Sequence, residues 1–398
     1  MSAPAFRSRE FLLEQIRHAV SFYHPRALDR SGGFFQHFND DGSIANPRAR
    51  HLASSARFVC NYSIAAWRLK DPSYRHAAEH GLNFLQQAHR DARTDGYAWE
   101  INWQDGAREV VDSTNYCFGL ALTLQAHAQA IQAGIREAEK PLKEIFKLLN
   151  ERFWTEAAGL YADEANESWK LSPYRGQNAN LHVCEALLAA YEATNEYGYL
   201  ERAQTLAYNI TVRQSSLTNG LIWENYHEDW SPDWEYNRNR DSNPRRPWGY
   251  QPGHHVQWAR LLLILERHRS LPWLALRAEA LFDEATNHAW DESNSGLFAA
   301  FAPDNGLFDS DKYFWAQSEA IAAAALIAMR KGKEEYWQWY DRIWEYCRRH
   351  FQCSTSGTWH RVLKSNNEPY SSNSLSAVKT DFHLIQACNE VITRLEEM

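Results

Sequence analysis

A glycine-containing segment recurs six times along the 398-residue chain, and this repeat constrains the fold more than any other feature. In each copy a glycine is followed by aromatic or apolar residues, as in GGFFQHF, DGYAWEINW and SGLFAAF. Consecutive copies are 61 to 63 residues apart, except for one step of 76 residues. The repeated glycines are Gly33, Gly96, Gly159, Gly220, Gly296 and Gly357. A fixed period of this kind is typical of a fold built from repeated supersecondary units.

The stretches between the glycine segments predict helical hairpins. Their apolar residues follow the spacing i, i+3, i+4 and i+7 over lengths sufficient for two helices each. Each glycine segment itself predicts a tight turn and a short strand. We predict twelve helices near residues 8–23, 50–69, 73–90, 113–133, 137–152, 177–194, 197–213, 252–268, 272–289, 313–330, 333–350 and 376–396.

Six separate hairpins cannot each bury their apolar faces, whereas six hairpins closed into a ring bury all of them. The repeat therefore predicts an all-α fold, an (α/α)6 barrel of six helical hairpins with short β-hairpin connections. We expect one catalytic domain that spans residues 1–398. An open helical solenoid is the structural alternative, but no distinct capping repeat marks either end.

Composition excludes several classes of function. The net charge of −8 gives no electrostatic support for binding nucleic acid or a membrane surface. No apolar run approaches the roughly 18 residues of a membrane span, and the first residues lack the core of a signal peptide. The six cysteines form no C-x-x-C pair, so we expect buried free thiols and no structural metal site. A cytoplasmic location is the expectation.

Unusual polar residues lie near the starts of alternate predicted helices. In a ring of hairpins every second helix belongs to the inner wall, and all inner helices run in one direction. Their first turns therefore meet at one mouth of the barrel, where a concave site forms. The insertion 229–251 accounts for the long repeat step and predicts a rim or lid over such a site. The polar residues are Arg57, Asn115, Tyr116, Asn178, His182, His254, Trp315, Gln317, Glu319 and His383.

Two of these residues, His254 and His383, predict proton-transfer chemistry. His254 follows Pro252-Gly253 at a helix start, and His383 follows Asp381, which can cap its helix. The positive end of the helix dipole favours the neutral imidazole, which can accept a proton from a carbon beside a carbonyl. A single histidine at a helix start is more often a cap, but two at one mouth favour catalysis. We expect them to face one shared cavity from opposite sides of the ring.

Five motifs give the chain a resemblance to the N-acylglucosamine 2-epimerase superfamily over nearly its whole length. They are HLASSARF at 51–58, QNANLHVCEALLAAYE at 177–192, GYQPGHHVQWARLLL at 249–263, DKYFWAQSEA at 311–320 and KTDFHLIQA at 379–387. The resemblance implies an (α/α)6 barrel and a cis-enediolate reaction that uses neither a metal nor another cofactor. It also implies a free-sugar substrate and, as is common in the family, a homodimer.

The resemblance implies roles for individual residues. His254 and His383 would be the catalytic pair, and Arg57 would bind a sugar oxygen and stabilise the charge of the enediolate. The remaining expected substrate-binding residues are Asn178, His182, Trp315, Glu319 and Gln257. The motif PGH-x-x-x-WARLLL followed by DKYFWAQ is similar to the mannose-acting members, which implies an unmodified hexose such as mannose. Isomerisation at C1 and C2 and epimerisation at C2 both fit.

Several alternatives remain open at this point. An inverting glycoside hydrolase on the same fold would use two carboxylates, for which Glu224 and Glu319 are available. A metal-dependent isomerase would use His182 and Glu185, although one H-x-x-E pair is a weak signal. Gln257 stands where the family usually has glutamate and cannot exchange a proton, so a weakly catalytic sugar- or protein-binding role also remains. Four arginines of the insertion would suit an anionic sugar, although a solvated loop is favoured: Arg238, Arg240, Arg245 and Arg246.

Overall fold

The computed structural model describes residues 5–39, 41–239, 246–353, 358–370 and 380–398. Twelve α-helices lie in these residues and account for most of them. In chain order they are Arg9–Tyr23 (α1), Leu52–Leu69 (α2), Pro72–Phe84 (α3), Cys117–Gln132 (α4), Glu139–Arg152 (α5), Gln177–Thr194 (α6), Tyr197–Tyr208 (α7), Pro252–His268 (α8), Pro272–Ala289 (α9), Phe314–Lys331 (α10), Glu334–His350 (α11) and Phe382–Glu397 (α12).

The even-numbered helices form a closed inner ring. Helices α2, α4, α6, α8, α10 and α12 pack against one another in that order, and α12 packs back against α2. Each odd-numbered helix lies outside the ring and packs on an inner helix next to it in sequence. The contact between α12 and α2 closes the ring, so the open solenoid is excluded and the predicted (α/α)6 barrel is confirmed.

The inner helices are buried on all sides, whereas the outer helices are buried on one face only. Nearly every residue of α10 from Phe314 to Met329 is buried, because this helix contacts neighbours on all sides. Its outer partner α11 buries Tyr336, Tyr340, Ile343, Trp344, Tyr346 and Cys347, which lie on one face of the helix. All six cysteines are free and buried, as expected. Within the described residues, no helix is both long enough and apolar enough to span a bilayer.

Short antiparallel strands connect the hairpins at one end of the ring. They are His37–Phe38 (β1), Ile44–Asn46 (β2), Ala49–His51 (β3), Glu100–Gln104 (β4), Ala107–Asp112 (β5), Asn115–Tyr116 (β6), Trp154–Thr155 (β7), Leu160–Tyr161 (β8), Glu164–Ala165 (β9), Arg175–Gly176 (β10), Asn225–Tyr226 (β11), Ala300–Phe301 (β12), Leu307–Asp309 (β13), Lys312–Tyr313 (β14) and Val362–Leu363 (β15). Strands β3, β6, β10 and β14 each run directly into an inner helix and pair with β4, β9, β11 and β15. Adjacent hairpins are thereby joined at the mouth where the inner helices begin.

The structure corrects the predicted starts of two helices. Helix α4 begins at Cys117 rather than near 113, because Asn115–Tyr116 pairs as strand β6. Helices α3 and α7 end within one residue of their predicted ends, but each does so through a π-helical turn, at Leu85–His89 and Asn209–Gln214. Helix α12 begins at Phe382 rather than near 376, because Asp381 has a left-handed backbone with φ of 50°. Residues 376–379, the repeat glycine Gly357, Arg240 and Arg245 lie outside the described residues.

Candidate active site

The first turns of the inner helices surround a cavity of about 450 Å³, within the usual size range of small-molecule sites. Most of the predicted site residues line this cavity: Arg57, Asn178, His182, His254, Gln257, Trp315 and His383. Tyr116 lines it as well, and the insertion contributes Arg246 and Pro247 to its rim. The structure thus brings residues from five inner helices to one concave site.

Trp315 separates the two predicted catalytic histidines. Its ring centroid lies 5.1 Å from that of His254 and 5.6 Å from that of His383. The expectation that the histidines face each other across the ring is wrong, because α10 alone lies between α8 and α12. Both imidazoles therefore contact the same tryptophan ring, and one bound hexose can contact all three side chains.

Trp315 reaches this position because Gly253 has no side chain. A Cβ atom on Gly253 would lie 2.5 Å from the Trp315 ring and 2.8 Å from the Cβ of Ala316. The glycine of the Pro-Gly-His sequence thus allows α8 and α10 to approach closely beside His254.

His254 is paired with a buried carboxylate. Its Nδ1 atom lies 2.9 Å from Oε1 of Glu224, which is 4% exposed. A carboxylate can only accept, so Nδ1 of His254 is the donor in this hydrogen bond. The second carboxylate oxygen accepts from Nε2 of Gln177 at 2.9 Å, and Oε1 of that glutamine accepts from Nε1 of Trp258 at 2.8 Å. This chain of hydrogen bonds fixes the orientation of the His254 ring.

His383 has the same arrangement on α12. Its Nδ1 atom donates to Oε1 of Glu319 at 2.7 Å, and its Nε2 atom lies 3.5 Å from Nη2 of Arg57. Because a guanidinium can only donate, Nε2 of His383 presents a lone pair. Burial lowers the pKa of His383, although Glu319 opposes this shift. The ring is therefore neutral at pH 7 and can accept a proton.

Glu319 lies behind the cavity wall rather than in it. It is 1% exposed, and its second oxygen accepts from Nε of Arg260 at 2.7 Å. The sequence-based expectation that Glu319 receives sugar hydroxyls differs from this placement, because both carboxylate oxygens already have protein donors. From this position Glu319 orients the imidazole ring of His383.

Arg57 lies between two aromatic rings at the cavity. Its guanidinium carbon is 5.8 Å from the ring centroid of Phe118 and 5.2 Å from that of Phe382. Burial lowers the pKa of Arg57 to about 10, partly offset by Glu185, so the side chain is charged at pH 7. In the described part of the chain its buried Nε has no hydrogen-bond partner. Arg57 can thus donate to an oxygen of a bound molecule.

A polar group on α6 forms the neighbouring wall. Burial lowers the pKa of His182 to about 4, so this ring is neutral. Its Nδ1 lies 3.5 Å from Glu185, which accepts from Arg260 at 2.5 Å and from Nε2 of Gln257 at 3.2 Å. The charge of Glu185 is thus balanced by an arginine. Across the described ranges, no cluster of three or more His, Cys, Asp or Glu residues has a geometry that could hold a metal ion.

Two of the polar residues that the sequence placed at the mouth have a structural role. Asn115 accepts a hydrogen bond from the Tyr97 amide at 2.9 Å. Gln317 accepts from the Leu297 amide at 3.0 Å and donates to its carbonyl at 2.9 Å. Both side chains hold the strand segment that follows a repeat glycine.

The sequence did not indicate that the two histidines are paired with Glu224 and Glu319. Glu224 was considered only as a hydrolase carboxylate, although it follows the repeat glycine Gly220 by four residues and so lies at the mouth. Nor did it indicate that Arg260 is buried, because a single arginine in the motif WARLLL is typical of a helix surface. It is instead 2% exposed.

Comparison with known proteins fits this architecture. A model of the N-acylglucosamine 2-epimerase (GlcNAc 2-epimerase) family matches residues 33–387. The chain belongs to this family. A D-mannose isomerase of Marinomonas mediterranea is 44% identical over 397 residues, which cover 99% of this chain and all of that protein. A crystal structure of D-mannose isomerase superposes with a TM-score of 0.94 at 43% identity and covers all of both chains. The cellobiose 2-epimerase of Spirochaeta thermophila has the same fold. It superposes with a TM-score of 0.84 at 21% identity and covers 99% of this chain and 98% of that chain.

Proposed function

We propose that the chain is a D-mannose isomerase that interconverts D-mannose and D-fructose. The observation that carries the proposal is the pair of His–Glu dyads beside Trp315, at a cavity large enough to hold a hexose. Support comes from the 44% identity to a D-mannose isomerase along the full length. A neutral imidazole is the type of base that such a proton transfer needs near pH 7.

In the proposed mechanism, His383 moves the proton between the two carbons. Its Nε2 takes the proton from C2 of the open-chain sugar, and the electron pair of that C–H bond forms the C1–C2 double bond of an enediolate. Arg57, next to this Nε2, donates to the developing oxyanion. The His383 proton then returns to C1, while His254 exchanges protons with the sugar oxygens. Atoms and charges balance, and the reaction consumes no co-reactant.

Two rival functions are disfavoured by contacts within the site. A glycoside hydrolase needs two carboxyl groups that face the sugar. Here Glu224 and Glu319 both face histidine Nδ1 atoms, and Glu319 is shielded from the cavity. A metal-dependent reaction through His182 and Glu185 is disfavoured because Arg260 already neutralises that carboxylate.

The test is incubation of the protein with D-mannose in deuterated water, followed by NMR. We expect fructose as the product, with deuterium at C1 in those turnovers in which the proton on His383 exchanges with solvent before it reaches C1. Glucose with deuterium at C2 would assign the chain to 2-epimerisation instead. Unchanged mannose without exchange would contradict both forms of the proposal, and a noncatalytic sugar-binding role would then follow if the sugar still binds.

The proposal includes a cytoplasmic location and a homodimeric state. Six buried free thiols fit a reducing compartment. Light scattering coupled to gel filtration would test the dimer, and a monomer at micromolar concentration would contradict it.

A further inference from the structure

Arg260 connects the two carboxylates that lie behind the cavity. It follows His254 by six residues on α8 and is 2% exposed. Its Nε donates to Oε2 of Glu319 at 2.7 Å, and its Nη2 donates to Oε1 of Glu185 at 2.5 Å. It is not among the residues that line the cavity. Any effect of Arg260 on a bound sugar must therefore pass through another side chain.

The charges near His383 are balanced only when Arg260 is present. Two buried carboxylates, Glu185 and Glu319, are offset by the guanidinium groups of Arg57 and Arg260. The charged or titratable groups around His383 and its partner include Arg57, His182, Glu185, Arg260 and Glu319. Glu390 of α12 also acts on Arg260, and Arg361 at the cavity also acts on Arg57. Removal of Arg260 would leave a net negative charge behind the imidazole.

The dyad of His254 lacks such a cation. Glu224 accepts from His254 and from the neutral amide of Gln177. Among the described residues, no lysine or arginine forms a salt bridge with Glu224. The two histidines thus share one hydrogen-bond geometry but have carboxylate partners of different effective charge. An uncompensated carboxylate stabilises an imidazolium more than a neutralised one does.

From this difference we propose that Arg260 is a positioning residue that assigns different roles to the two histidines. It fixes Glu319 and neutralises its charge, so that His383 stays an uncharged acceptor for the carbon-bound proton. His254, whose carboxylate partner Glu224 has no such cation in the described part of the chain, is the histidine that exchanges protons with the sugar oxygens. This inference rests on the proposed isomerase function.

The experiment compares Arg260→Met with Arg267→Met across pH. Arg267 is the matched control, because it lies on the same helix and also joins two carboxylates, Glu192 at 2.8 Å and Glu390 at 2.7 Å. For Arg260→Met we expect the acidic limb of the kcat/KM profile to move to higher pH by at least one unit. The reason is that the His383–Glu319 pair then binds a proton more readily, whichever member carries it. For Arg267→Met we expect the wild-type profile with a lower Tm.

A second variant and a second readout keep the result unambiguous. Arg260→Gln keeps a donor but removes the charge, so it should show the same shift and serves if Arg260→Met does not fold. The NMR titration of the His383 ring, assigned with His383→Asn, should shift upward without any need for turnover. A wild-type profile and an unshifted titration in a folded Arg260 variant would overturn the inference. Inactive wild-type protein would instead overturn the proposed function, whereas the titration would still report on Arg260.

Discussion

The chemistry of a histidine at a helix start depends on what its two nitrogen atoms contact, as His254 and His255 show. His255 is fully buried, with Nδ1 2.8 Å from the Gln251 carbonyl, and its Nε2 accepts from the Ile222 amide at 3.1 Å. Burial lowers its pKa to about 3, so it is a neutral structural residue. His254, one position earlier, has a carboxylate on Nδ1 and the cavity at Nε2. A rotation of about 100° around the helix separates the two roles.

The first prediction concerns the histidine pair. His254→Ala and His383→Ala should each lower kcat on mannose by about 10² to 10⁴-fold, the usual contribution of a general acid–base group. The far-ultraviolet circular dichroism should stay unchanged, because both side chains end in the cavity. His76→Ala, at an exposed position of α3, is the control and should retain full activity. Near-normal turnover by either active-site variant would contradict the two-histidine mechanism.

The second prediction concerns Gln257, which donates to Glu185. Gln257→Glu places a second buried carboxyl against that carboxylate, and the repulsion should raise the pKa of the introduced group above its unfolded value near 4.3. A group with a raised folded pKa stabilises the fold less as the pH rises. We expect a Tm close to wild type at pH 5 and a loss of about 1 to 4 kcal/mol at pH 8.

Calorimetry at both pH values measures this effect. Gln257→Met is the control, because it removes the hydrogen bond to Glu185 without adding a titrating group. Its loss of stability should be the same at pH 5 and pH 8. A pH-independent Tm difference for Gln257→Glu would show that the introduced group does not titrate in contact with Glu185.

The sequence predicted which side chains reach the site but not how they are paired. Arg57, His254 and His383 could be found because charged and titratable residues rarely start apolar helices. The direction of Glu319, away from the cavity and toward His383, depends on α10 and α12 being neighbours in the ring. Residues 64 positions apart give no local signal of such a pairing.

At the scale of the elements, periodicity predicted the twelve helices, because apolar spacing follows the face that each helix buries. The pattern predicted the boundaries of the helices less accurately. The start of α4 is set by the pairing of β6 with β9, about fifty residues later, and this nonlocal pairing overrides a helical pattern that continues through Asn115. A local pattern cannot report such competition.

The third prediction tests the close approach of α8 and α10. Gly253→Ala adds a Cβ atom 2.5 Å from the Trp315 ring, so the ring must move. We expect a loss of about 1 to 3 kcal/mol of stability from overpacking. Because Trp315 lies between the two histidines, kcat/KM should also fall by at least about tenfold.

Gly198→Ala is the matched control on a helix. Its added Cβ has no neighbour within 4 Å, and alanine in a helix is favoured over glycine by about 0.5 to 1 kcal/mol. This variant should be as stable as the wild type or more so, with unchanged activity. Equal Tm values and activities for the two variants would show that Trp315 does not depend on Gly253.

At the scale of the whole molecule, the active site depends on the closure of the ring. The turn before α12 is held by helices from the other end of the chain. Tyr23 of α1 donates to Asp381 at 3.0 Å, and Asn61 of α2 donates to the Thr380 carbonyl at 2.6 Å. His383 lies two residues after Asp381, so the position of this base depends on contacts between the first and last hairpins. The sixfold repeat predicted that the ring closes, but not which side chains close it.

The fourth prediction tests ring closure through Arg68 on α2. Its side chain is 4% exposed and reaches α12, where it donates to Asn389 at 2.7 Å, to Thr393 at 2.5 Å and to Glu396 at 2.7 Å. Arg68→Met removes these three hydrogen bonds, at an expected cost of about 1 to 3 kcal/mol. In a closed ring this loss lowers the Tm of one cooperative transition, because no end of the array is free to fray.

Arg9→Met is the matched control, because Arg9 binds the same Glu396 from an exposed position, with 46% of its side chain accessible. Exposed ion pairs contribute about 0 to 1 kcal/mol, so this variant should melt close to the wild type. Differential scanning calorimetry gives both the Tm and the number of transitions. An early transition for α12 alone in Arg68→Met would mean that the last hairpin unfolds separately. Breaking the buried Arg68 contacts should cost more stability than breaking the exposed Arg9–Glu396 ion pair. Equal Tm values for the two variants would therefore mean that the α2–α12 contact does not stabilise the barrel.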